Sequence, residues 1–382
     1  MLEAILNGLG GLIAGFQALA LDWRSMVMLI VGGILLYLGI KKDCEPLLLV
    51  PIGFGCILVN VPLTDLMAKD GFLRIIYDAG VDTELFPLLI FIGIGAMTDF
   101  GPVLAQPSIF LLGAAGQFGI FLTLLLALFF GFTKLEAVSI GIIGACDGPT
   151  AIYVTSKYAP HLLGAVSVAA YSYMALVPVI QPPIMRAMTT QAERQTVMKY
   201  TARPVSKTTK MLFPLVITVL GGLIAPKGLP LLGTIMLGNL MRESGVVSRL
   251  TKASENEIAN VVTLFLGLCI GATMSGAAFL RPQTLIILGL GFLAICLDTV
   301  CGVLFAKGMR VLSGGKINPL IGAAGISAFP MAARVVQREG FKYNKKSFLL
   351  MQAMGANAGG QIGSVIAAAV MLSVLAGMGV IS

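Results

Sequence analysis

Long uncharged apolar stretches follow one another along this chain, separated by short polar segments. A run of about 20 such residues can cross a bilayer as a helix. The pattern predicts helical segments at 25–40, 46–64, 85–98, 100–133, 137–156, 162–185, 211–225, 229–241, 258–280, 282–306, 317–333 and 347–381. Residues 2–21 are apolar but glycine-rich and are expected to lie at the membrane interface. Some segments are interrupted, so the expectation is an all-α polytopic membrane protein with about ten or eleven crossings, several of them broken.

Composition strengthens that reading. Hydrophobic residues make up 57% of the 382 and charged residues 12%, where a soluble domain carries about 25% charge. The net charge of +8 is assigned to basic cytoplasmic loops rather than to nucleic-acid binding. The segment 186–210 carries Arg186, Arg194, Lys199, Arg203, Lys207 and Lys210 against Glu193, and is expected in the cytoplasm. Counting spans puts 242–257 and 307–316 on the same side. The basic segment 334–346 joins them if 317–333 dips into the membrane and returns. The acidic stretch 65–84 does not follow the pattern. Glu3 and the lack of a basic leader speak against a cleaved signal peptide.

Single residues narrow the chemistry. One histidine, His161, excludes a multi-histidine metal site, and the six cysteines form no Cys-x-x-Cys pair. Five of these cysteines lie in apolar stretches and read as small buried residues. The chain has no phosphate-binding P-loop, no dinucleotide fingerprint and no nucleophile elbow. Its energy source is therefore expected to be an ion gradient or another subunit.

The chain also echoes itself. Ile94-Gly95-Ala96, Pro107 and Gly113 recur as Ile270-Gly271-Ala272, Pro282 and Gly289, and Ile143-Gly144-Ala145 recurs as Ile321-Gly322-Ala323. Each copy ends in a glycine- and proline-containing break, at 144–150 and at 322–330. Paired breaks in two halves are a pointer to an ion site at the bilayer midplane. The expected architecture is two inverted repeats with broken or re-entrant helices, working in an elevator-like manner. It divides into 1–84 (interfacial helix and first two spans), 85–185 (first repeat), 186–257 (basic loop and connecting spans), 258–346 (second repeat) and 347–382 (a C-terminal broken helix completing the core).

Asp147 is the most informative residue, because a carboxylate at a helix centre costs at least about 2.5–3.5 kcal/mol. Gly148-Pro149 behind it frees backbone carbonyls, which are ligands for a hard cation such as Na⁺. A short loop between two spans is the other reading of that position. Asn318, Ser327 and Asn357 offer neutral oxygens near the second break and fit helix packing as well as ligation. Arg334 suits a carboxylate held by two bonds, or a membrane anchor. Tyr171 and Tyr173 fit proton relay or core packing. Nothing around Asp298 suggests a role.

Gly144-Ala145-Cys146-Asp147-Gly148-Pro149-Thr150-Ala151-Ile152 resembles a known family, as do Ala170-Tyr171-Ser172-Tyr173-Met174, Ile180-Gln181-Pro182-Pro183, Ala328-Phe329-Pro330-Met331 and Gly355-Ala356-Asn357. That family is the β subunits of the sodium-pumping, biotin-dependent decarboxylases, which act on oxaloacetate, methylmalonyl-CoA, malonate or glutaconyl-CoA. The resemblance runs from about residue 25 to the end. It implies that carboxybiotin, made by a carboxyltransferase α subunit on a biotin carrier subunit, is decarboxylated here as a proton is consumed and up to two Na⁺ move outward. It maps Na⁺ ligands onto Asp147, Asn318, Ser327 and Asn357, an essential tyrosine onto Tyr173, and an arginine that holds carboxybiotin onto Arg334. It also implies a small γ/δ-type membrane subunit, a trimer and the bacterial cytoplasmic membrane. Exporting two charges against ~100 mV costs about 4.6 kcal/mol, from about 2.3 for each. Cys146 departs from the smaller residue expected before the aspartate. The short chain leans towards the acyl-CoA decarboxylases. A Na⁺-coupled secondary carboxylate transporter is the alternative that the repeats and the buried acid alone would support.

Overall fold

The computed structural model describes residues 14–42, 45–198 and 204–381, and all regular structure among them is helical. Residues 14–21 form a short helix; the rest of the expected interfacial segment lies outside the described residues, as do Cys44, Lys199 and Arg203. The main helices are α1 (Trp23–Lys41), α2 (Pro46–Asn60), α3 (Leu85–Met97), α4 (Phe118–Phe129), α5 (Lys134–Gly141), α6 (Gly148–Tyr158) and α7 (Leu163–Met188). They are followed by α8 (Lys207–Ile224), α9 (Leu229–Ser244), α10 (Ala259–Ala272), α11 (Pro282–Leu312), α12 (Met331–Tyr343) and α13 (Leu350–Gly377).

Seven helical stretches among the described residues are long and apolar enough to cross a membrane, or eight if the pair Phe72–Asp82 and Leu85–Met97, bent by 59°, is one span. That is fewer than the ten or eleven that hydropathy predicts. The difference lies in apolar segments that are short or broken. α2 has 15 residues and α9 has 16. Segment 137–156 divides into α5, a tight turn at Ile142–Ala145, and α6. Segment 317–333 is no crossing helix but a 3₁₀ stretch, Pro319–Gly325, and the start of the amphipathic α12. The segment 100–133 contributes one candidate span, Pro107–Phe129, preceded by the short helix Gly101–Ala105.

One expectation is corrected. The glycine-rich end of the chain is not a broken helix: α13 runs 28 residues without interruption. Its glycines serve approach instead. A Cβ on Gly360 would run into the Gly325 carbonyl, and Gly113 faces the Gly359–Gly360 backbone. In lipid, where burial of apolar surface gives no advantage between helices, such close backbone contact is what holds helices together.

The same device joins two further pairs. α2 packs on α10 through Gly55 against Leu268 and Gly271 against Ile52. α9 packs on α3 through Gly95 against Ile235 and Gly238 against Ile92. These two assemblies touch each other through α3 and α10, and the core of α4–α7 and α11–α13 packs against both.

The basic segments meet at one end. Lys307 Nζ donates to the Met188 carbonyl at 3.1 Å, Arg310 to Thr196 Oγ1 at 2.6 Å, and Arg186 pairs with Glu339. Asn318 and Asn344 both donate to carbonyls in 194–196, so the segment between them enters and leaves at that same end. Glu84 pairs with Lys157 at 3.0 Å, at the far end of α6 from Asp147.

Candidate functional site

Two breaks meet in the core. In the first, the turn Ile142–Ala145 leads into Cys146 at φ 53°, a left-handed conformation that favours glycine, and then into Asp147. This is the physical reason a smaller residue suits position 146. Asp147 caps α6, and a helix N-terminus complements a negative charge. In the second break, Pro319–Gly325 ends in extended Ile326, and the Ser327 amide donates to the Ala145 carbonyl at 3.1 Å. The two interruptions are therefore bonded to one another.

α13 reads both of them from one face. Asn357 Nδ2 donates to the Ile326 carbonyl at 2.6 Å, and the Gly360 carbonyl accepts Ser327 Oγ at 2.8 Å. One turn on, Gln361 Nε2 and Ser364 Oγ each donate to Asp147 Oδ2 at 2.8 Å. Thr150 Oγ1 donates to the same oxygen at 2.7 Å. Asp147 is 3% exposed and has no ion-pair partner among the described residues. Oδ2 is saturated by three donors, whereas Oδ1 has only the Thr150 amide at 3.4 Å.

A cavity of about 620 Å³ reaches this carboxylate. Asp147, Tyr171, Ser327 and Gln361 line it, with Met97, Met351 and Met354 among its apolar walls. Arg334, on the first turn of α12, also lines it; its side chain is exposed and has no ion-pair partner among the described residues. Asp99, in reach of Lys210 at 3.7 Å, lines the cavity too.

Of the residues singled out from sequence, the structure gathers Asp147, Ser327 and Arg334 around the cavity. Asn357 stands beside them with Oδ1 buried and without a hydrogen-bond partner. Asn318 is elsewhere. Its amide donates to the Arg194 and Thr196 carbonyls at 3.0 and 2.9 Å, and its oxygen caps Leu320. Those bonds tie the 3₁₀ stretch to the 194–196 segment. Tyr173 is half-buried, donates to the Leu288 carbonyl at 2.5 Å and does not line the cavity. Tyr171 does: it is buried, its hydroxyl has no partner, and its ring lies where a Cβ on Gly148 would fall.

Thr150, Gln361 and Ser364 escaped the sequence reading. A signal was present, since Asn357, Gln361 and Ser364 recur at i, i+4 and i+7, one helix face, within an apolar stretch.

Residues 24–375 match the family described as the Na⁺-transporting oxaloacetate decarboxylase beta subunit. The chain is 51% identical to methylmalonyl-CoA decarboxylase subunit beta of Veillonella parvula, over 98% of this chain and 99% of that one. It is 50% identical to glutaconyl-CoA decarboxylase subunit beta of Acidaminococcus fermentans, over 98% and 100%. It is 48% identical to the oxaloacetate decarboxylase beta chain of Klebsiella pneumoniae, over 98% and 100%. With apolar helices enough to span a membrane many times and a match over nearly its whole length, the chain belongs to the family of beta subunits of Na⁺-transporting decarboxylases.

Proposed function

We propose that this chain decarboxylates carboxybiotin at the cytoplasmic face of the bacterial inner membrane and uses that step to export Na⁺ while a proton is consumed. The observation that carries this reading is the buried carboxylate of Asp147 in a cavity whose lining also includes Arg334, which has no ion-pair partner among the described residues. A guanidinium suits a carboxylate group through two parallel bonds. A cavity of about 620 Å³ with methionine walls and a few polar groups suits a fused bicycle that has an apolar thioether ring and a polar urea ring. Family membership decides against a stand-alone carboxylate carrier.

Asp147 is the Na⁺ ligand in this reading, through Oδ1, while Thr150, Gln361 and Ser364 hold Oδ2. Asn357 Oδ1 and Ser327 supply neutral oxygens at the meeting of the breaks. Asn318 acts at a distance, by securing the second break, rather than as a ligand. Tyr171, rather than Tyr173, is the phenol within the cavity and suits proton transfer there. Carboxybiotin held by Arg334 biases which side the site faces.

The architecture supports two inverted repeats. α3, α6 and α7 of residues 85–188 correspond in order and kind to α10, α12 and α13 of residues 259–377, which extends the second repeat beyond 258–346 to include the C-terminal helix. The flanking pairs cross over: α1–α2 packs on α10 of the second copy, and α8–α9 on α3 of the first. That exchange suits a static frame around an elevator-like core. α8 exposes Leu212, Leu215, Val216, Val219 and Leu223, a face suited to lipid or to a trimer contact. The complex supplies a carboxyltransferase α subunit, a biotin carrier and a small γ/δ-type membrane subunit. Its substrate is an acyl-CoA: the alignments to the methylmalonyl-CoA and glutaconyl-CoA relatives above span 374 and 376 positions, against 434 for the oxaloacetate chain.

The test is decarboxylation of free carboxybiotin by the protein in proteoliposomes, with radioactive sodium flux measured alongside. Na⁺-dependent turnover coupled to flux, both abolished in Asp147→Asn, is the expected result. Flux or turnover unchanged in that variant would refute the assignment of Asp147.

A further inference from the structure

We infer that Asp298 is a second intramembrane cation-binding carboxylate, beside the first break and outside the lining of the Asp147 cavity. It sits mid-way along α11, between Gly291, whose Cα faces Ile143 and Tyr173, and Gly302, whose Cα faces the Gly322 carbonyl. α11 thus passes both breaks, and Asp298 lies between its two contacts with them. The residue is 0% exposed, and none of the cavities described above reaches it.

Its bonding is one-sided. Oδ1 accepts the Gly119 amide at the start of α4, and Oδ2 has no partner among the described residues. No Lys, Arg or His pairs with it there. An isolated buried carboxylate is not tolerated without a compensating positive charge. Polar groups near it in the chain or bonded beside it, as Gln181 Nε2 is to Thr299 Oγ1 at 3.4 Å, also keep polar atoms without partners among the described residues. Gln117 and Gln181 each give their amide N–H to carbonyls of the second break, Gly325 at 3.0 Å and Ala323 at 2.7 Å, and each keeps a buried oxygen without a partner. Thr123, one turn beyond Gly119 on α4, is buried with its hydroxyl unpartnered. Unused oxygens beside a buried carboxylate suit a hard monovalent cation such as Na⁺, and the carboxylate itself can instead hold a proton.

The titratable groups facing Asp298 from the packed elements are few. Cys146 approaches from the first break and Cys301 from its own helix. α4, the 3₁₀ stretch and Phe110–Ala115 carry none; Tyr173 of α7 is bonded to Leu288, and Lys134 and Glu136 of α5 lie at its first turn. Gly119 is required by this arrangement, because a Cβ there would strike the Asp298 carboxylate.

The inference stands apart from the role given to Asp147, and one experiment separates them. Thermal unfolding of the intact decarboxylase complex is followed against NaCl at constant ionic strength and against pH, for wild type, Asp147→Asn, Asp298→Asn and the double variant. With Na⁺ as occupant, Asp147→Asn keeps part of the Na⁺-dependent rise in unfolding temperature and the double variant loses all of it. With a proton as occupant, Asp298→Asn keeps the full Na⁺ response and loses a step in the pH profile. If Asp147→Asn alone abolishes the Na⁺ response and Asp298→Asn alters neither profile, the inference fails. Should Asp298→Asn not assemble, Gly119→Ala and the Na⁺ stoichiometry of Asp147→Asn measured by ²³Na NMR decide it. Residual Na⁺ bound in Asp147→Asn and weakened by adding Gly119→Ala supports the site, and no residual Na⁺ together with an unchanged pH profile in Gly119→Ala overturns it.

Discussion

Replacing Glu339 by Gln loosens the helix that carries Arg334. Glu339 is 1% exposed and takes Arg186 Nε at 2.5 Å, Arg186 Nη2 at 3.0 Å and Lys342 Nζ at 2.9 Å. The pair with Arg186 ties α12 to the end of α7, and Arg334 lies five residues before Glu339 on α12. Breaking a fully buried pair costs about 3–5 kcal/mol. The Arg186 and Lys342 side chains are 45% and 51% exposed, so water receives them once the carboxylate is gone. The charge-assisted bonds themselves contribute roughly 1.5–3 kcal/mol, which sets the expected loss at about 2–3 kcal/mol. A double-mutant cycle of Glu339→Gln with Arg186→Gln, read by thermal unfolding, isolates the pair. The pH dependence has a definite sign. Burial works to raise the Glu339 carboxyl, but the hydrogen bonds from Arg186 and Lys342 outweigh it and hold it below its ordinary value. Its stabilisation is therefore complete above the ordinary carboxylate range and is lost as pH falls through the lower, folded-state value. Glu339→Gln should remove that acid limb and raise the KM for carboxybiotin. A coupling energy under about 0.5 kcal/mol, below what even one such bond contributes, would refute the reasoning.

Three further outcomes follow from the site and the tyrosines beside it. Gly148→Ala places a methyl group against the Tyr171 ring; overpacking of about 1–3 kcal/mol should weaken the Na⁺ activation of decarboxylation roughly 5- to 150-fold while the complex still assembles, and Na⁺ titrations of turnover check it. Tyr171→Phe removes a hydroxyl with no partner and should leave thermal stability within about 0.5 kcal/mol, so a changed pH profile of turnover in that variant reports chemistry; Tyr173→Phe loses the bond to Leu288 and should cost about 0.5–1.5 kcal/mol.

Much of this protein was legible in its sequence. Runs of apolar residues with 12% charge leave only a membrane for surroundings. An acid followed by Gly148-Pro149 marks an interruption within the core, and the helix restarts there because proline is favoured in the first turn. Of the basic segments assigned to one side, 186–210, 307–316 and 334–346 meet at one end.

Tertiary structure decided the partners. Ser327 reaches the first break only because α13 stays helical and lets Gly325 settle on Gly360, a contact between backbones distant in the chain that composition does not record. Glycine in a membrane segment permits a break and equally permits close approach, and only the neighbouring helix determines which. Asn318 and Tyr173 sit in motifs that resemble functional ones, yet their polar atoms are taken up by nearby backbone groups, while Gln361, Ser364 and Tyr171 face Asp147 or its cavity. A sequence fixes which polar groups must be satisfied inside a membrane; which group satisfies which is settled by packing.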